Sequence, residues 1–157
     1  MKANMKQAIT LAHEIKDITG EVEPYAIREA VSMLSPCLMS DGLDDVTLSL
    51  GGSEWRFIRE DHIDQTMQDE LADDTYLLGC FHADFLARIL DIDLDVIEAM
   101  QKAEAFDALG KLILSLGKLE QLKSEYADAD GYGPHFAHYD SETHELTSQP
   151  YYSFKLG

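Results

Sequence analysis

The chain has 157 residues, 45% of them hydrophobic, which suits one ordinary globular domain and argues against disorder. Thirty acidic residues against twelve basic ones give a formal net charge of -18, and residues 41–110 alone hold eighteen acids and four bases. A surface this acidic repels nucleic acid and anionic lipid, and it attracts basic partners. The charge therefore disfavours direct binding to nucleic acid.

The first part of the chain predicts two helices. Met5 to Thr19 carries apolar residues at helical spacing, and Gly20 stops this run. Pro24 suits the first turn of a second helix, which Pro36 is expected to end. A turn at residues 40–42 follows.

A β-hairpin is the clearest local signal. Residues 46–50 and 53–58 alternate between apolar and polar side chains, and Gly51-Gly52 joins the two runs. Two period-two runs around a two-residue glycine loop are typical of a hairpin with a tight turn.

The middle of the chain returns to helical spacing. Glu60 to Leu71 predicts one helix, and Asp93 is expected to cap another that runs through Leu94, Ile97 and Met100. Between them, Asp74 or Thr75 can cap a helix whose apolar side would comprise Leu78, Phe81, Phe85 and Ile89.

A later run, Leu109 to Tyr126, is helical in pattern but contains Gly110 and Gly117. Because glycine costs a helix interior about 1 kcal/mol relative to alanine, we expect a break or kink at these glycines. Residues 128–134 read as a loop, since they comprise two acids, two glycines and a proline among seven residues.

Residues 135–157 look extended and predict a second hairpin near 135–156. Pairing of this hairpin with the one near 46–58 would make a four-stranded sheet backed by helices. The predicted fold is therefore a single α+β domain over residues 1–157, with five to six helices and a small antiparallel sheet made of two hairpins.

Cys37 and Cys80 are far apart in sequence, form no CxxC spacing and have apolar neighbours. This context predicts two reduced, buried side chains. The first residues do not follow the basic-then-apolar pattern of a signal peptide, and no apolar run approaches the roughly 20 residues of a membrane helix. We therefore expect a cytoplasmic protein with no membrane partner.

Residues 81–104 have the spacing of a helix-turn-helix, with one helix ending near Leu90 and a second beginning after Asp93. The second helix would present mainly carboxylates, with Gln101 and Lys102 as the only groups suited to DNA. An ordinary pair of core helices is the better interpretation, and a transcriptional regulator is a third functional hypothesis.

Three histidines, His135, His138 and His144, fall within ten residues and have carboxylates beside them. Zinc accepts both ligand types, but alternation along a strand would place positions 135 and 138 on opposite faces. We therefore expect polar residues on an exposed hairpin. A metal-binding module or metal-dependent enzyme that uses these histidines is the alternative.

No motif of an enzyme active site is present. The chain contains no GxSxG, GxGxxG or HExxH, and Gly51-Gly52-Ser53 is too short for a phosphate loop and lacks a following lysine. Adjacent carboxylates are frequent, but one would need a pKa shifted by burial to act as a general acid. We therefore predict no catalytic activity and no cofactor.

The tail segments HFAHYD, THEL and YYSFKL, together with YLLGCFHADFLARIL at residues 76–90, resemble small accessory proteins carried by phages, prophages and plasmids. The resemblance spans residues 76–90 and 135–156, and it transfers no catalytic or binding residue. It implies an accessory gene of a mobile element. Such elements often encode acidic proteins that occupy the nucleic-acid groove of a host protein.

The sequence therefore predicts a non-enzymatic accessory protein that binds a host protein with a basic surface. A sharper form of this hypothesis is a nucleic-acid mimic whose carboxylates replace phosphates, which occur about once per 1.7 Å of duplex axis. The predicted partner-binding residues are Asp61, Asp64, Asp69, Glu70, Asp73, Asp74, Asp91, Asp93, Asp95 and Glu98.

Overall fold

A computed structural model describes the backbone of residues 2–35 and 43–157. The chain divides into two compact units, one made of Met1–Ile63 with Asp130–Gly157 and the other of Asp64–Ala129. We call them the sheet unit and the helical unit. The prediction of one domain over the whole chain stays a prediction.

The α+β class with a small four-stranded antiparallel sheet is confirmed. The described residues contain nine helices, so the predicted five to six was too few. The helices are α1 (Lys2–Thr19), α2 (Pro24–Leu34), α3 (Ile63–Ala72), α4 (Thr75–Gly79), α5 (Ala83–Leu90), α6 (Leu94–Lys102), α7 (Phe106–Ser115), α8 (Leu119–Asp130) and α9 (Gly133–Phe136). The strands are β1 (Asp45–Leu50), β2 (Ser53–Arg59), β3 (His144–Glu145) and β4 (Tyr151–Lys155). None of the described helices has the length and apolar character to cross a membrane.

The predicted first hairpin is confirmed as β1 and β2, which pair antiparallel from Asp45↔Ile58 to Leu50↔Ser53. Gly51 and Gly52 have φ angles of 62° and 79°. Two positive φ angles in succession are what a two-residue type I′ turn requires, and glycine adopts them without steric cost. A Cβ on Gly51 would also lie 2.0 Å from the carbonyl oxygen of Thr19, so this turn packs directly on the end of α1.

The tail completes the sheet, whose strand order is β1-β2-β4-β3. β4 pairs antiparallel with β2 from Trp55↔Lys155 to Arg59↔Tyr151, as the four-stranded prediction required. The predicted extended run from His135 was wrong, because the short helix α9 extends to Phe136 and has Pro134 in its first turn. The buried ring of Phe136 packs on Phe154 with ring centroids 5.0 Å apart. The second hairpin is therefore limited to β3 and β4.

Helices α1 and α2 contribute Leu11, Ile15 and Leu34 to a core that β2 completes with Trp55 and Phe57. Both helices match their predictions, including the stop of α1 at Gly20. Glu14 on α1 also accepts hydrogen bonds from the backbone N–H groups of Thr147 and Ser148, at 2.7 and 2.9 Å. These bonds tie α1 to the connection between β3 and β4. The predicted helix stop at Pro36, the turn at 40–42 and Cys37 lie outside the described residues.

The helical unit contains a break that the sequence pattern did not predict. Asp74 caps α4 by accepting a hydrogen bond from the N–H of Leu77 at 3.0 Å, as expected. The helix then ends at Gly79, and α5 starts after His82, so the predicted continuous apolar side is divided between two helices. The C-cap residue between them, Cys80, is exposed, and the prediction that it is buried was wrong.

Of the two glycines expected to interrupt the later helical run, only Gly117 does so. It has a φ of 67° and lies between α7 and α8. Helix α7 passes through Gly110 without a break, and a Cβ there would lie 1.8 Å from the carbonyl oxygen of Thr75 on α4. Gly110 is therefore a packing position. The predicted loop at residues 128–134 is also shorter than expected, because α8 continues to Asp130.

Candidate functional site

The predicted partner-binding carboxylates fall into both units. Asp61 belongs to the sheet unit, where its carboxylate lies 3.4 Å from the guanidinium of Arg59. The other nine belong to the helical unit, and all of them are exposed except Glu70, which is half-buried. We call these nine the acidic set: Asp64, Asp69, Glu70, Asp73, Asp74, Asp91, Asp93, Asp95 and Glu98.

Three members of the acidic set have roles within the helical unit. Asp74 caps α4, and Asp69 accepts a hydrogen bond from Gln65 one turn earlier at 2.8 Å. Asp64 lies 3.5 Å from the ammonium group of Lys123, a lysine that is itself buried. These carboxylates are exposed but already take part in hydrogen bonds or an ion pair. They are therefore weaker candidates for a partner contact than the carboxylates of α6.

The α5–α6 pair has the geometry expected for residues 81–104. Helix α5 ends at Leu90, Asp91 adopts a left-handed conformation with a φ of 56°, and α6 begins at Leu94. Asp93 occupies the N-cap position of α6, but its side chain makes no capping hydrogen bond, unlike the expectation. The carboxylate of Asp93 therefore does not cap α6.

The first turn of α6 also exposes apolar side chains between the carboxylates. Leu94 and Val96 are 36% and 47% exposed, and Asp95 lies between them. A shallow depression on the same helix is lined by Asp95, Glu98, Ala99, Gln101 and Lys102.

Of the two α6 residues that could serve a DNA reader, Gln101 is occupied elsewhere. Its side-chain amide donates hydrogen bonds to the carbonyl oxygens of Gly79 and Phe81, at 3.0 and 2.8 Å. A half-buried amide with two backbone acceptors is not available to a base edge. Lys102 lies beside the carboxylates of Asp95 and Glu98. The hypothesis of a transcriptional regulator therefore stays a prediction without support from this helix.

The bases of the helical unit are largely consumed by ion pairs within it. Arg88 lies 3.0 Å from Glu125, and Lys111 lies 2.9 Å from Asp107. The hydroxyl of Thr75 on α4 donates to Asp107, and this bond together with Lys111 holds the pKa of the Asp107 carboxyl below its usual range. Asp107 therefore joins α4 to α7 and is a structural residue.

The three tail histidines have different environments. His135 lies on α9, where its half-buried ring packs against Phe136 with centroids 4.6 Å apart. His138 is exposed. His144 lies in β3, and its half-buried ring packs edge-on against Trp55 with centroids 5.7 Å apart. The histidine set proposed as an alternative metal site therefore does not act as a unit in the described structure.

His144 instead belongs to a cluster with Asp140 and Glu142, which we call the tail cluster. One possible ligand atom from each of the three residues lies within 4.8 Å of the other two. The separation between Nε2 of His144 and Oε2 of Glu142 is 3.9 Å. The spacing of these residues did not predict the cluster, because Ser141 has a φ of 60° and the chain from Asp140 to Glu142 turns instead of running extended.

Searches for related proteins add no function to these two sites. The chain matches no protein-family model, no curated protein sequence and no solved structure. The function therefore has to be argued from the chain's own residues.

Proposed function

We propose that this chain binds a partner protein with a basic surface through the acidic set of its helical unit. The observation that carries the proposal is the charge balance of that unit: residues 64–129 hold fifteen acids and five bases, a net charge of -10. Eight of the nine members of the acidic set are exposed. Such a surface attracts a basic partner over a distance and orients its approach.

Local cations do not cancel this charge. Arg88, Lys111 and Lys123 are each within 4 Å of a carboxylate in the same unit. Three ion pairs leave twelve of the fifteen acids to be balanced by the two remaining lysines. Thirteen of the fifteen acids are exposed, where ion pairs gain little stability, and those not engaged within the unit are available to a cationic partner.

Helix α6 supports a protein as the partner rather than a nucleic acid. Asp95 and Glu98 would repel phosphates, whereas the exposed side chains of Leu94 and Val96 offer apolar contact area. An interface core that is partly apolar with charged residues around it is the usual composition of a protein–protein contact. The nucleic-acid-mimicking form of the proposal adds that the partner surface is one that normally holds phosphates.

Capture of the partner from a host lysate by the tagged full chain, with elution in a salt gradient, tests the proposal. We expect a basic, nucleic-acid-binding protein that is released as salt rises, because screened charges no longer hold it. Addition of duplex DNA should also release it if the carboxylates occupy a phosphate-binding groove. Release by salt but not by DNA would support protein binding and contradict the mimic.

Charge reversal locates the surface. The double variant Asp95→Lys with Glu98→Lys should weaken capture by at least about tenfold, since close charge pairs in an interface couple by more than about 1.5 kcal/mol. The matched control is Glu120→Lys with Asp128→Lys on α8, which changes the net charge equally at exposed positions outside the acidic set. Equal loss in both variants would show that overall charge, and not α6, holds the partner. Capture that ignores both salt and these substitutions would contradict the proposal.

A further inference from the structure

We infer that Asp140, Glu142 and His144 form a binding site for a divalent transition-metal ion in the sheet unit. This inference does not rest on the proposed function, since it concerns other residues and another ligand. It differs from the histidine hypothesis because His135 and His138 are not part of the site.

The distances within the tail cluster suit a shared ion. Three atoms that all lie within 4.8 Å of one another have a common point no more than about 2.8 Å from each of them. Zinc bonds to nitrogen and oxygen are about 2.0–2.2 Å long, so each ligand has to move by less than about 1 Å. Oδ1 of Asp140 accepts a hydrogen bond from the backbone N–H of Glu142 at 3.0 Å, and the exposed carboxylate of Glu142 can make this adjustment by rotating.

The imidazole of His144 is already held in place. Its ring packs on Trp55, and its backbone oxygen accepts a hydrogen bond from the hydroxyl of Ser153 at 3.2 Å. No hydrogen bond joins either of its ring nitrogens to a residue in the described part of the chain, and the 3.9 Å to Glu142 is too long for one. A fixed ligand with an uncommitted nitrogen loses little conformational freedom when an ion binds.

The ligand types define the class of ion. One imidazole with two carboxylates suits Zn²⁺, Ni²⁺, Co²⁺ or Mn²⁺, and the absence of a thiolate from the set makes soft ions such as Cu⁺ poor occupants. Two carboxylates balance the charge of a divalent cation. With three protein ligands, the remaining coordination positions are open to water.

Trp55 provides the measurement, because it is the single tryptophan of the chain and contacts His144. Ni²⁺, whose open d shell quenches indole fluorescence at short range, is titrated into the chelator-treated full chain. We expect saturable quenching with one ion per chain, and recovery of the fluorescence when Zn²⁺ displaces Ni²⁺. Isothermal titration with Zn²⁺ alone should give the same stoichiometry.

Three variants assign the ligands. His144→Gln and Glu142→Gln should each weaken Ni²⁺ binding by at least about tenfold, and Glu142→Gln does so at an exposed position without removing the ring that packs on Trp55. The matched control His138→Gln removes an exposed histidine of the same tail and should leave the affinity unchanged. Three results would each overturn the inference: no saturable quenching, unchanged affinity in His144→Gln and Glu142→Gln, or equal losses in His138→Gln and His144→Gln.

Discussion

The sheet unit and the helical unit are built in opposite ways. The sheet unit joins two distant segments, and its central pairing places Trp55 opposite Lys155. The helical unit is one continuous segment, in which α4 and α7 approach so closely that Gly110 has no room for a Cβ. One unit therefore depends on the closing of a long loop, and the other on close packing between neighbouring helices.

The two units also distribute charge differently. Each holds fifteen acids, but the sheet unit has seven bases against five in the helical unit. In the sheet unit, Arg56 makes a two-point ion pair with Asp45 on the adjacent strand, at 2.9 and 2.6 Å. The excess of acids over bases is greater in the shorter helical unit, and for this reason we propose the partner surface there. The tail cluster lies in the sheet unit.

The largest effect is expected at the turn of the sheet unit. Gly51→Ala forces a left-handed conformation and places a Cβ 2.0 Å from the backbone of Thr19, so it should lower the free energy of unfolding by about 3 kcal/mol or more. Gly52→Ala is the matched control, because it has the same backbone strain but open space, and should cost about 1–2 kcal/mol. Denaturant unfolding measures both. Equal costs would mean that the turn does not pack against α1.

A smaller loss is expected in the helical unit. Gly110→Ala should lower the free energy of unfolding by about 2 kcal/mol, because its Cβ would meet the backbone of Thr75 and α4 must move away. Ala108→Gly on the exposed side of the same helix should cost about 1 kcal/mol through helix propensity alone. A stabilised Gly110→Ala would show that propensity outweighs packing here.

Hydrogen exchange of these two alanine variants sharpens the comparison. Gly51→Ala should raise exchange in β1 and β2, and Gly110→Ala should raise it in α4 and α7. If each variant raised exchange equally in both units, the chain would unfold as one cooperative body. That result would support the single domain expected from the sequence.

The smallest effect is expected in how the free energy of unfolding depends on pH. Glu21 accepts hydrogen bonds from the backbone N–H groups of Gly51, Glu23 and Val22, which hold the pKa of its carboxyl below the usual range. A lowered folded-state pKa means that this stabilisation is present above the ordinary value of about 4.3 and is lost as pH falls through the folded pKa.

Glu21→Gln should therefore be less stable than the unmodified chain at neutral pH, and the difference should shrink as pH falls below about 4.3. Chemical unfolding over a pH series measures the difference. Glu23→Gln, at an exposed neighbouring position, is the control for the loss of one carboxylate. A gap that stays constant with pH would contradict the role given to Glu21.

Local signals in the sequence were sufficient where neighbouring residues determine the structure. The Gly51-Gly52 loop between alternating runs predicted the first hairpin, and Asp74 predicted a helix cap, since both depend on backbone conformations a few residues apart. The same local logic failed at Gly110, where propensity predicted a break but the glycine is required by Thr75 on another helix. It also failed at Cys80, whose apolar neighbours in sequence do not bury it.

The candidate sites show the same division. Acidity was visible in the composition, but the ion pair that engages Asp64 with Lys123 could be found only from the folded contacts. The tail histidines lie in the segment that contains the tail cluster. Their spacing could not reveal that His144 groups with Asp140 and Glu142, because this depends on a left-handed residue between the carboxylates, Ser141, with a φ of 60°.

The α+β class, the first hairpin, most helix positions and the strong negative charge could be predicted from the sequence, because they follow from composition, periodicity and turn chemistry. The division into two units and the close contact at Gly110 came instead from tertiary packing. Each of these joins residues whose proximity comes from packing and strand pairing between elements. No local pattern encodes that proximity, because it depends on the whole arrangement of helices and strands.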